Sequence, residues 1–152
     1  MLRTRLNEAL KQAMLAKNQR AVSTVRLILA ALKDRDIAAR TRGAPELDDA
    51  EILSMLQTMI KQRRESISMY EQGGRLELAE QEREEIGVIE GFLPKQMSDE
   101  EVNAAVQAVV DETGAASIKD MGKVMAELKA RYAGRMDFAK AGPVVKRQLS
   151  GG

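Results

Sequence analysis

The chain has 152 residues, 44% of them hydrophobic and 31% charged, with a formal net charge of +1. That length allows one ordinary domain or two small ones; those shares read as globular rather than disordered, and no apolar run nears the ~18 residues of a membrane helix. Cys, His and Trp are all absent, so a disulfide framework, a zinc–thiolate site and a histidine general base are excluded.

Aromatic residues make up only 3% of the chain and there are nine Met, so the core must be built from aliphatic side chains with Met as adaptable filler. An aliphatic, Ala-rich and Pro-poor composition predicts an all-α fold. The small net charge hides a segregation. Residues 1–42 carry ten bases against three acids (+7), residues 43–97 six against twelve (−6), and residues 98–152 eight of each. Within the last stretch, residues 98–113 hold five acids and no base, whereas 114–152 hold eight bases and three acids. Such segregation marks either partner surfaces or helices that complement one another within the fold.

In chain order, the spacing predicts a first helix over residues 2–17, with Leu2, Leu6, Ala9, Leu10, Ala13 and Met14 on its apolar stripe. Its Arg/Lys-rich start has the look of a mitochondrial presequence, but that stripe reads as a packed face, and the expectation is a cytoplasmic protein. A second helix over 19–40 places Val22, Val25, Ile28, Leu29 and Leu32 on one face and many bases on the other. Thr41 to Pro45 breaks the pattern. The third helix opens with a capping box, Asp48 to Glu51, with Leu47 and Ile52 as a staple, and ends at Gly73-Gly74. Ile52, Leu56, Met59, Ile60 and Ile67 form its stripe. The fourth helix, 75–92, reads as exposed and acidic over its first half, then buried along Ile86, Ile89 and Leu93. Gly87 and Gly91, one turn apart, suit close approach by a neighbouring helix.

The stretch Gly91 to Glu101 is a corner. Pro94 stops one helix, while Ser98 and Glu101 form a capping box that starts the next, with Met97 placed to pack on Val102. It divides the chain into an N-terminal four-helix domain, 1–95, and a smaller C-terminal three-helix domain, 96–152. In the latter, a helix over 98–113 buries Val102, Val106, Val109 and Val110 and stops at Gly114. The next starts near Ser117 and is read with Ile118, Met121, Met125, Leu128 and Tyr132 as its buried stripe, ending at Gly134. Lys119 and Lys123 lie one turn apart on another face. Asp137 caps the last helix, whose stripe is Ala141, Val145 and Leu149. Pro143 either kinks this helix by removing a hydrogen bond at Ala139, or marks where its regular part begins.

Catalytic schemes find little support. Gly122-Lys123 resembles the end of a phosphate-binding loop, yet Ser117 stands where the first Gly belongs and Val124 follows where a hydroxyl belongs. No Ser–His or Cys–His pair exists, and no Ser-x-x-Lys. Adjacent carboxylates such as Asp48/Asp49 and Asp111/Glu112 diverge on a helix and chelate metal poorly. A self-sufficient enzyme is not expected, although a Lys- or carboxylate-based site stays open. No cofactor and no metal are called for.

Two motifs carry a family resemblance. Glu85-Ile86-x-x-Ile89-x-x-Phe92-Leu93-Pro94-x-Gln96-Met97-Ser98 resembles the mid-chain signature of the GatB/YqeY family. Lys119-Asp120-Met121-Gly122-Lys123-Val124-Met125, followed by Gly134-Arg135-Met136-Asp137, resembles its C-terminal signature, and Thr24-Val25-Arg26-Leu27 also fits. Met136, where the family usually has Ala, together with Phe138 and Pro143, departs from the common pattern. The resemblance implies the four-plus-three helix organisation and similarity to the tail of the amidotransferase B subunit, which contacts tRNA. The label of carbon–nitrogen ligase with glutamine as amido donor attaches by association only, because no catalytic domain is visible. The implied function is an accessory tRNA- or RNA-binding module. Lys119, Lys123, Arg135 and Lys140 would contact phosphate, and Gly122 and Gly134 would let a backbone come close. The alternative is a protein-interaction module that docks an amidotransferase or another translation-related partner without RNA. Neither reading involves a membrane.

Overall fold

The computed structural model describes residues 1–150. Every regular element among them is helical, in the order α1 (Leu2–Leu15), α2 (Gln19–Thr41), α3 (Asp49–Gln72), α4 (Leu76–Glu90), α5 (Asp99–Thr113), a 3-10 turn (Ile118–Asp120), α6 (Met121–Tyr132) and α7 (Phe138–Ser150). The chain separates into two compact units, Met1–Pro94 and a second that begins at Lys95.

In the first unit, α1 packs on α2 and α3 packs on α4, around a core that includes Leu6, Val25, Ile28, Ile52, Met55, Leu56 and Ile89. Each such side chain taken fully out of water contributes about 1.5–3 kcal/mol, so this aliphatic set is the main stabilising term. Local signals set the element ends. Lys17, in the left-handed region at φ 56°, turns the chain after α1. Asn18 then caps α2 by accepting the Ala21 N–H at 3.1 Å. The Asp48 box is formed, with its carboxylate accepting the Glu51 N–H at 2.8 Å and the Glu51 side chain accepting the Asp48 N–H at 3.2 Å.

Polar contacts in this unit join elements that are distant in sequence. Arg3 on α1 donates to both oxygens of Asp36 on α2, at 2.8 and 2.7 Å. Both partners also hold Leu47, whose carbonyl accepts from Arg3 at 2.9 Å and whose N–H donates to Asp36 at 2.9 Å. The α2–α3 connection is thereby tied to the α1–α2 pair. Arg63 bonds Glu85 at 2.9 Å and Arg20 bonds Glu84 at 3.0 Å, bracing α2 and α3 against α4. Arg5 donates to the Gly91 carbonyl at 3.2 Å and its guanidinium lies 5.7 Å from the centre of the Phe92 ring, which fixes the end of the unit on α1.

The structure corrects the sequence reading in several places. α1 stops at Leu15, and Met14 is exposed rather than packed. Ala79, in the half of α4 read as exposed, is fully buried. Gly87 and Gly91 do not admit a neighbouring helix. A methyl at Gly87 would meet nothing within 4 Å, and one at Gly91 would meet only the Val88 carbonyl of its own helix.

The second unit packs α5, α6 and α7 mutually, with the 3-10 turn against α6 and α7. Its core includes Val106, Val109, Val124, Leu128, Met136, Ala141 and Val145. The Ser98 box opens α5, its hydroxyl accepting the Glu101 N–H at 3.1 Å and the Glu101 side chain accepting the Ser98 N–H at 3.0 Å. Gly114 closes it in the left-handed region at φ 67°, a conformation that costs other residues about 1–2 kcal/mol. One expectation changes here, and two open points are settled. The stripe of α6 holds in part: Leu128 is buried and Met121, Met125 and Tyr132 pack against the core, but Val124, which the spacing passed over, is fully buried and Ile118 is 48% exposed. Met136 is a buried core residue. Finally, α7 begins at Phe138 and runs through Pro143, with Asp137 accepting the Ala139 N–H at 3.0 Å. Ala139 and Pro143 are both exposed, so the carbonyl that loses its partner faces water.

Candidate nucleic-acid interface

The residues singled out for phosphate contact all lie in the second unit. Lys119 is exposed on the 3-10 turn. Lys123, also exposed, lies one turn later on α6, where its Nζ donates to the Thr113 carbonyl at 3.3 Å. Between them, Asp120 accepts the N–H groups of Ala116 at 3.0 Å and Ser117 at 3.3 Å. These two bonds, and then the nearby Lys123 ammonium, hold the Asp120 carboxyl below the ordinary aspartate range. The turn is thus capped from inside, which fixes the start of α6. Gly122 sits on the exposed side, and a methyl added there would meet nothing within 4 Å. No element of the chain needs its hydrogen.

Gly134 and Arg135 lie at the other end of α6, about 18 Å away at 1.5 Å per residue. Gly134 is buried with φ 79°, so the backbone itself requires glycine there. Its carbonyl accepts from the Gln96 side chain at 2.6 Å, the Arg135 carbonyl accepts the Met97 N–H at 2.9 Å, and Arg135 Nε donates to the Lys95 carbonyl at 3.3 Å. The Gln96-Met97 and Gly134-Arg135 motifs, some 40 residues apart in sequence, are therefore hydrogen-bonded to one another. Lys140 is exposed in the first turn of α7. α7 passes alongside the start of α6, where the Met121 methyl lies 3.9 Å from the position of a Gly142 Cβ. Lys119 and Lys123 thus lie at the start of α6, Arg135 follows its end, and Lys140 sits on the part of α7 that passes the start of α6.

None of these four forms an ion pair with a carboxylate among the described residues. Arg131 contrasts with them. It is held by Glu112 and by Glu127, and these bonds raise its pKa further above the usual arginine value. One base escaped the sequence reading. Arg147 is exposed on α7 seven residues after Lys140, hence on the same face of the helix. The heptad was visible in the sequence, but Pro143 between the two obscured the continuity of the helix. Among the described residues no group of three or more His, Cys, Asp or Glu is arranged to hold a metal ion, and no helix is long and apolar enough to cross a membrane.

The family model described as "Yqey-like protein" matches residues 3–149. The chain is 30% identical over 122 residues to the altered inheritance of mitochondria protein 41, mitochondrial, of Vanderwaltozyma polyspora, covering 76% of this chain and 64% of that one. Its namesake in Kluyveromyces lactis is 32% identical, with 70% and 57% covered, and that of Pyrenophora tritici-repentis is 31% identical, with 84% and 71% covered. The chain therefore matches somewhat under two thirds of the length of the first two relatives. All three are named as mitochondrial proteins, which overturns the expectation of a cytoplasmic protein. Composition could not have settled this, because the absence of Cys and His excludes chemistries rather than compartments. With a match that runs almost end to end, and with the two signature motifs joined in space as well as in sequence, the chain belongs to the YqeY-like family.

Proposed function

We propose that this protein is an accessory tRNA- or RNA-binding module, and that its second unit contacts the phosphate backbone. The observation that carries this reading is the set of exposed bases Lys119, Lys123 and Lys140, none paired to a carboxylate, beside a Gly122 that nothing in the chain crowds. Cations held on short, capped elements neutralise phosphates without reading bases, and the open glycine lets a sugar–phosphate backbone come close. The unit has few aromatic side chains on which bases could stack, so recognition is by shape and charge. Resemblance to the tail of the amidotransferase B subunit gives the reading its tRNA context. The alternative, a module docking a translation-related protein, drew on the segregation of charge between residues 1–42 and 43–97. Arg3 and Arg20 spend part of that charge on Glu46 and Glu84 inside the first unit, which weakens its motive.

Binding of labelled tRNA, titrated across salt, tests the proposal with Lys119→Glu/Lys123→Glu/Lys140→Glu against the wild type. Each lost phosphate contact should flatten the slope of log K against log salt by roughly 0.7–0.9. Identical affinities and slopes would refute it.

A further inference from the structure

The first unit carries a separate ordered row of charge. Arg26, Lys33 and Arg40 stand at seven-residue intervals on α2, all three exposed. A heptad drifts by only about 20° on an α-helix, so the three share one edge, with neighbours about 10 Å apart and the whole row about 21 Å long. None of them has an ion-pair partner among the described residues, and Arg40 adds only its field to the carboxylate of Asp36, which Arg3 already holds. The helix is fixed along its length. Its start is capped by Asn18, and Asp36 anchors it to Arg3 and Leu47. The row is therefore a rigid track and not a cluster of independent side chains.

We infer that the Arg26–Lys33–Arg40 edge of α2 is a second phosphate-backbone contact surface for RNA, on the unit that lacks the bases discussed above. The inference rests on the reading of the protein as an RNA binder and adds a surface to it. Even spacing of cations along a line complements a repeating polyanion, and two of the three are Arg, the side chain best matched to phosphate. An acidic partner helix fits less well. It would seat on the neighbouring ridge of Leu27, Ala30 and Ile37, and there Asp34 interrupts the apolar seam with a like charge. Arg35 and Arg42 lie on the opposite edge of the exposed face, lining an open cleft with Leu47 and Ser54, and serve as an internal control.

The test measures binding of labelled tRNA by the full chain across salt, for wild type, Arg26→Ala/Lys33→Ala/Arg40→Ala and Arg35→Ala/Arg42→Ala, with polyglutamate as a second probe. Alanine is the best helix former, so far-ultraviolet circular dichroism should show α2 intact in both variants. The expected result is a slope flatter by about 2 for the triple variant, with affinity at low salt falling at least about tenfold, and little change for the double variant. A triple variant that binds tRNA like wild type overturns the inference while leaving the surface on the second unit in place. Equal losses in both variants overturn it in favour of diffuse charge. Dependence on the row for polyglutamate but not for tRNA overturns it in favour of an acidic protein partner. Wild type that does not bind tRNA overturns this inference and the proposed function together.

Discussion

Asp36 should be the carboxylate on which the acid stability of the first unit depends most. Its pKa falls from 3.8 to about 2, first because Arg3 bonds it directly, then because the Leu47 N–H donates to it and the Arg3 charge lies close, against the opposing cost of burial. At about 1.36 kcal/mol per pKa unit, a depression of this size corresponds to about 2.5 kcal/mol at neutral pH. Arg3 keeps 28% of its side-chain surface in water and Asp36 14%, so solvent screening brings the expected contribution to about 2 kcal/mol. The sign follows from the direction of the shift. Because the folded-state pKa is depressed, the stabilisation is complete above the unfolded value near 4 and disappears as pH falls through about 2. Asp36→Asn should therefore lose about 2 kcal/mol at pH 7, about half as much at pH 3, and little at pH 2. Urea unfolding followed by circular dichroism at these three pH values measures the difference directly. A loss that is the same at pH 2 and pH 7 would show that the carboxylate acts by shape rather than by charge. No loss at pH 7 would show that the Arg3–Asp36–Leu47 tie does not hold the fold.

Other substitutions test other parts of the structure. Ser98→Ala removes the hydroxyl that accepts the Glu101 N–H and should destabilise the second unit by about 1 kcal/mol in thermal or urea melts. Gly114→Ala, at φ 67°, should cost about 1–2 kcal/mol, whereas Gly122→Ala, on a helix with open space around it, should stabilise by about 0.5–1 kcal/mol. If RNA approaches Gly122, the second of these changes should weaken tRNA binding while it raises the melting temperature. Val124→Ala should cost about 2 kcal/mol and Ile118→Ala well under 1 kcal/mol, and the reverse order would restore the stripe read from spacing alone.

The helices were legible because their ends carry local chemistry. The Asp48 and Ser98 boxes and Gly114 each act on residues within four positions, so sequence alone exposes them. What was illegible depends on neighbours. The spacing that selected Ile118, Met121 and Met125 is genuinely helical and both Met pack against the core, yet Val124 is buried more deeply and Ile118 is exposed, which only the packing of the three helices reveals. The Arg3–Asp36–Leu47 tie spans 44 residues between its outer members and leaves no periodic trace. Of the candidate interface, Lys119 and Lys123 were visible as a one-turn pair. The tie of Arg135 to Lys95, and the continuity of α7 through Pro143 that puts Lys140 and Arg147 on one face, needed the folded chain.

The stitch between Gln96-Met97 and Gly134-Arg135 has a consequence for cooperativity. The segment entering the second unit is bonded to the turn that launches its final helix, so neither end can fray while the other stays closed. Local opening, which usually begins at chain ends, must here proceed as a single event involving both. In native-state hydrogen exchange, the Met97 amide should be protected to the same free energy as the amide of Val145 in the middle of α7. It should become labile only when the whole unit opens.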